Sequence, residues 1–287
     1  METIRNPGEW TAEAVSSAGR HLGAIGTALR GSEAEIAAAP PRARPITPAD
    51  LFDALSKGFD DFRETRSDVI FLCVVYPLAG IAAVGLASNA ALLPLLFPAV
   101  AGFALVGPVT AVGAYELSRR RERGESTGWT SAFRPIASPS FGAIFLLALG
   151  ILATFLVWMG AAQTIKALTI GAEAPASLGD FAAQVFGTGA GWAMILVGCG
   201  VGFVFAAAVL ATSLVSFPLL LDRQVGLVRA VMTSVEVART SPRTVALWGL
   251  IVAAALIVAS IPLFLGLIVA LPVLGHATWH VYRKAVA

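Results

Sequence analysis

Two histidines four residues apart, His276 and His280 in the run GHATWH, are the pairing in this 287-residue chain best placed to do chemistry. On a helix that spacing puts both imidazoles on one face, where they could hold a metal ion or a haem edge. A metal site needs more ligands than two. The only other histidine, His21, lies far off in sequence, and no acid or cysteine shares the same apolar run. His276 and His280 are therefore kept as candidate metal ligands without a completed site. The expectation is two polar residues beside Trp279 and Tyr282 at the mouth of a membrane helix. No catalytic or cofactor-binding residue is assigned, and no cofactor is expected.

The remaining patterns point to chemistry less well. Gly187-x-Gly189-x-Gly191 precedes an apolar run instead of opening a helix after a strand, so it lacks the setting of a nucleotide loop. Cys73 and Cys199 each lie inside an apolar run and read as free thiols packing as small hydrophobes. Glu116 and Lys166 fall at the ends of such runs, where long side chains reach toward water. Ionisable groups within membrane spans mark ion and proton pathways, and the apolar runs here lack them. That argues against a proton-coupled transporter. Gly198-x-x-x-Gly202 suits a close helix contact. Arg119 to Arg123 could touch lipid phosphates, but a positively charged loop needs no further role.

The elements that must position these residues are membrane helices. The chain is 57% hydrophobic and 13% charged, against roughly 25% charged for a soluble domain. Four stretches carry no Asp, Glu, Lys or Arg: Val69–Tyr115, Pro135–Ile165, Phe181–Leu221 and Thr244–Tyr282. One crossing needs about 20 apolar residues. The first stretch divides at Ser88-Asn89 and the last near Ser260-Ile261-Pro262. The fold expected is all-α with six transmembrane helices, at about 69–87, 91–115, 141–163, 193–219, 244–260 and 263–282. Residues 46–287 form this membrane domain. Residues 1–45 form a cytoplasmic extension, with a faintly amphipathic helix and then a Pro-rich flexible tether. No cleavable signal peptide is expected, because the first forty residues hold no compact apolar core.

Nineteen of the 20 Lys and Arg residues lie before span 1, in the span 2–3 and 4–5 loops and in the tail; Lys166 alone falls on the other side. The positive-inside rule then puts both termini in the cytoplasm. Trp158 and Trp192 are expected to flank the outer loop as an interfacial belt. Amphipathic segments precede the hairpins. Pro48–Glu64 starts on Thr47 as N-cap, with Pro48 in the first turn and Asp50 three residues past the cap. Its apolar stripe is Leu51, Leu55, Phe59 and Phe62. Its largely acidic polar face does not suit anionic lipid. Val225–Thr240 precedes span 5, and a shift of 176 positions lays Ala54 on Ala230, Gly58 on Ser234 and Arg63 on Arg239. A shorter version, Trp129–Ile136, precedes span 3. Pro108, Pro218 and Pro272 sit late in the spans that end each hairpin. Three pseudo-repeats of interfacial helix plus hairpin are expected.

The segments ITPADLFDALSKGFDDF, LVGPVTAVGAYELSRRRERGE, VSFPLLLDR and LPVLGHATWHVYR together resemble a bacterial multi-pass membrane-protein family, catalogued as domain of unknown function 2189, from Ile46 to the C-terminus. The resemblance implies a multi-pass inner-membrane protein and supplies no catalytic residues. Some relatives carry the label of cytochrome c oxidase subunits. Two haem irons and a copper need about six histidines; three are present, which argues against the catalytic subunit. The expected role is a non-catalytic accessory or scaffold component of a membrane assembly. The alternative is a transporter or lipid-handling protein with a cavity between the repeats. The expected partners are the lipid bilayer and other membrane subunits, not nucleic acid.

Overall fold

The computed structural model describes residues 26–31, 39–73, 94, 98, 107–262 and 264–287, with the side chains of 66–73 and 129 left aside. Spans 1 and 2, as expected at 69–87 and 91–115, therefore lie largely outside the described residues, as does most of the N-terminal extension. The described chain is helical. Its helices are α1 (Pro48–Cys73), α2 (Val112–Glu122), a 3-10 helix (Trp129–Ala137), α3 (Phe141–Thr169), α4 (Leu178–Gly187), α5 (Gly189–Ser213), α6 (Ser216–Asp222), α7 (Leu227–Thr240), α8 (Pro242–Ser260) and α9 (Leu267–Ala285).

Helix α1 begins as its sequence dictates. The Asp50 carboxylate accepts from Thr47 N at 2.8 Å, and Asp50 N donates back to Thr47 Oγ1 at 3.4 Å, a reciprocal cap. It does not stop at Glu64. It runs unbroken for 26 residues, through Arg66 and Asp68, into the first expected span. Its packed face also differs from the expected stripe. Leu51, Ala54, Gly58, Asp61, Phe62 and Thr65 are buried, while Phe52 and Phe59 are exposed. Small residues set this face because α1 lies almost in backbone contact with α9. A Cβ on Gly58 would sit 2.5 Å from Ala277 N. Phe59 instead carries the Arg63 guanidinium 6.0 Å above its ring.

Among the described residues, three stretches are long and apolar enough to cross a membrane: Phe141–Thr169, Gly189–Asp222 and Pro242–Ser260. They correspond to the third, fourth and fifth expected spans. Helix α3 is 29 residues long, about 44 Å at 1.5 Å per residue, and outruns the expected limit of 163. That extra length corrects the reading of Trp158. It lies eleven residues before the helix end, is 4% exposed, and packs its ring on Gly202 and, at 5.8 Å, on Phe205. Trp192 does stand exposed, donating to Phe186 O at 3.1 Å. One glycine of the 187–191 run, Gly191, has a packing role, while Gly187 and Gly189 face open space. Helices α4 and α5 meet at a corner where Gly191 lies against the carbonyls of Gln184 and Val185, leaving no room for a Cβ.

Helix α5 gives way at Leu214-Val215 to the short, buried α6, which carries Pro218. Helix α7 packs on it through Ala230 and Ser234: Ser216 Oγ donates to Ala230 O at 3.1 Å, and Val215 N to Ser234 Oγ at 3.3 Å. Helix α8 opens on Pro242 in its first turn and ends at Ser260. Phe264, at φ 65°, lies in the turn before α9. The far end of the expected tether is fixed in place. Arg42 N and Arg44 N donate to Ala287 O and Ala285 O at 3.2 and 2.7 Å, and Ile46 N donates to Ser241 Oγ at 2.9 Å.

The buried core gathers where α1, α2, α6 and α9 meet, around Leu51, Tyr115, Phe217, Leu220, Trp279 and Tyr282. The spans α3, α5 and α8 turn large apolar side chains outward, among them Leu156, Phe203 and Ile257.

Candidate functional site

Both sequence candidates end up beside one carboxylate that no local pattern connects to them. Helix α9 carries His276 and His280 on the face toward α1, and α1 presents Asp61 from its buried side. Helix α2 adds Ser118 and Arg121, one turn apart. Asp61 Oδ2 accepts from Ser118 Oγ at 2.5 Å and from His280 Nε2 at 2.9 Å. Asp61 Oδ1 accepts from Arg121 Nη1 at 2.7 Å, and Arg121 also pairs with Glu64 at the surface. His276 is fully buried, with Nδ1 2.8 Å from Ser118 Oγ and Nε2 3.4 Å from Thr65 Oγ1.

Proton bookkeeping fixes the direction of these bonds. Burial raises the pKa of Asp61, but hydrogen bonds from His280 and Ser118 and the charges nearby outweigh it, so the carboxyl lies below its ordinary value. An ionised carboxylate only accepts, so His280 Nε2 carries the shared proton. Ser118 has one proton and gives it to Asp61, so His276 Nδ1 donates to Ser118 Oγ. Thr65 gives its proton to Asp61 O at 2.8 Å, so its 3.4 Å approach to His276 Nε2 is a packing contact.

Serine, histidine and aspartate are the types of a hydrolytic triad, but the order is wrong. In such a triad the histidine lies between acid and serine and takes the serine proton. Here the chain runs His276–Ser118–Asp61–His280, the serine proton points at the acid, and Ser118 is 1% exposed. Among the described residues, no three His, Cys, Asp or Glu side chains gather as a metal would need. What the arrangement does is clamp three helices through one charge, with each donor charge-assisted.

The same rule governs the neighbouring carboxylates. Glu116, expected near water, is 2% exposed, with Arg119 Nη2 at 2.7 Å and Arg120 Nη1 at 4.0 Å. Burial raises its pKa, and the two arginines offset that only in part. Glu122 accepts from Trp279 Nε1 and Arg283 Nε, both at 3.0 Å. Asp222 accepts from Tyr282 Oη at 2.9 Å and Arg123 Nη2 at 3.1 Å. Lys284 reaches Asp53 at 2.9 Å and Asp50 at 3.2 Å. Arg119 to Arg123 are thus occupied by carboxylates of this chain. Sequence reasoning missed Asp61 and Ser118, because their partners lie 57 to 219 residues away. One available signal was an acid on the small-residue side of α1, beside Gly58.

Residues 96–222 match the model of a family described as predicted integral membrane protein (DUF2189). No curated protein matches the chain. No solved structure does either.

Proposed function

We propose, from the match of residues 96–222 to a family of integral membrane proteins, that this chain is a non-catalytic accessory or scaffold component of an assembly in the bacterial inner membrane. The observation that carries this reading is how the carboxylates where the helices meet are used. Asp61, Glu116, Glu122 and Asp222 are each held by side chains of this chain, and three of the four tie together different helices. Meanwhile α3, α5 and α8 turn an almost uninterrupted apolar surface outward. Such a body presents contact surface to lipid and neighbouring helices and keeps its polar groups for itself.

The topology we propose has six spans and cytoplasmic termini. Pairing of Ala43 with Val286 supports it, since it holds segments before the first span and after the last on one side. Three pseudo-repeats remain our reading of the architecture; full burial of both Ala54 and Ala230 supports the equivalence of α1 and α7. Photo-crosslinkers at Leu196 and Phe203 on the exposed face of α5, in cells, test the role. Discrete crosslinked protein bands are expected. Adducts with lipid alone, together with solute flux through vesicles containing the purified chain, would overturn it in favour of transport.

A further inference from the structure

We propose that Arg44, Arg239 and Arg243 form a contact for anionic phospholipid headgroups where α8 enters the bilayer. The inference deepens the membrane reading above and rests on α8 being a span.

Depth comes first. Helix α8 has 19 residues, about 28 Å at 1.5 Å per residue, close to the roughly 30 Å hydrocarbon core. Its ends therefore lie at headgroup level. Arg243 occupies its first turn, and Arg239 lies in the last turn of α7, just before the Ser241 junction. Arg44 reaches the same place through the fold. Ile46, two residues on, donates its N–H to Ser241 Oγ at 2.9 Å and accepts at its carbonyl from Thr244 Oγ1 at 3.0 Å.

Availability comes second. Arg44, Arg239 and Arg243 are all exposed, and none makes an ion pair or side-chain hydrogen bond among the described residues. Arg119, Arg120, Arg121 and Arg123, the densest basic run in sequence, are all held by carboxylates. The run that looks most like a lipid site is internal wiring, and the scattered arginines are the ones left facing outward. Glu236 is the exposed acid on the same side of α7 and forms no ion pair with them, so positive charge stays in excess. Val228 and Met232, one turn apart on the outer side of α7, are exposed too. An outward face of arginines and apolar side chains is what an interfacial helix presents to anionic lipid.

The test uses the full chain extracted from vesicles of equal parts phosphatidylglycerol and phosphatidylcholine, with retained lipid counted by native mass spectrometry. The wild type is expected to retain phosphatidylglycerol preferentially. Each arginine near an anionic surface contributes about fivefold, so the R44Q/R239Q/R243Q variant should lose the preference, while Arg→Lys at the same positions should keep it. Arg119→Gln should lower the melting temperature and leave lipid preference intact. An unchanged preference in the triple Gln variant overturns the proposal. So does loss of preference in a normally melting Lys variant, which would mean a shaped pocket, or displacement of the lipid by excess inorganic phosphate, which would mean a free-anion site. If the Gln variant melts early, the Lys and single Gln variants decide. Failure of the topology would appear in reporter fusions and leave this result untouched, because both leaflets of these vesicles carry the same lipids.

Discussion

Replacing Asp61 by Asn keeps the shape of the side chain and removes its charge, and the geometry sets the cost. The carboxylate accepts on both oxygens, from Arg121 on one and from Ser118 and His280 on the other. An amide accepts on one side only. Its NH2 group must then face either the Arg121 guanidinium or the Ser118–His280 pair, donor against donor. At least one charge-assisted bond is lost, about 1.5–3 kcal/mol, and a buried donor is left unmet, about 1–3 kcal/mol. A total of about 3–5 kcal/mol matches the cost of breaking a buried ion pair from one side. Denaturant unfolding of the detergent-solubilised protein at pH 7 measures it. The pH dependence adds a second check. The folded pKa of Asp61 lies below the ordinary 3.8. Its stabilisation is therefore complete above the unfolded pKa near 4 and is lost as pH falls through the lower folded value. The gap between wild type and Asp61→Asn should shrink in that acid window. A gap below about 0.5 kcal/mol at pH 7, within the scatter of ordinary surface changes, refutes the clamp. A gap that stays constant down through the acid window refutes its charge origin.

Gly58→Leu should destabilise the fold by about 1–3 kcal/mol, since even a Cβ there would meet the Ala277 backbone; thermal melting reads it, and an unchanged melting temperature removes the close α1–α9 contact. Leu51→Asp, at a fully buried site, should abolish accumulation of folded protein, whereas Phe59→Asp, at a half-exposed one, should reduce it less; equal losses would restore the stripe expected from periodicity. Reporter fusions after Glu125 and Arg229 should report the cytoplasm and fusions after Asn89 and Pro175 the far side; the opposite pattern sinks the topology.

Much of the local structure was legible because it depends on neighbours in sequence. The Thr47–Asp50 cap, the bounds of α7 to within two residues, the Pro242 start of α8 and the break after Ser260 all come from local chemistry. The packed face of α1 did not. Periodicity weights large apolar residues, so it chose Phe59, while the close approach to α9 selects Ala54 and Gly58 for their lack of bulk. Nor did Arg66 and Asp68 end α1, because neither is a glycine or proline and the backbone there stays helical. The pairing of Asp61 with His280 across 219 residues is a product of tertiary packing, and spacing alone cannot announce it. For the same reason the histidine pair looked unsupported within its own span.

The ion pairs also separate two roles that sequence merges. Positive-inside bias acts on segments as they insert, when Asp61, Asp222 and the arginines of 119–123 have yet to meet. At that stage each arginine is a free charge resisting transfer across the membrane. Once the helices assemble, the same guanidiniums close onto Asp61, Glu116, Glu125 and Asp222 and cease to present much field to the outside. Arg44, Arg239 and Arg243 keep theirs. Neutralising a residue of the first group should therefore act on folding stability even where topology is preserved, and neutralising the second should act at the membrane surface with stability preserved. Both groups contribute equally to any count of basic residues, so only their partners in the fold tell them apart.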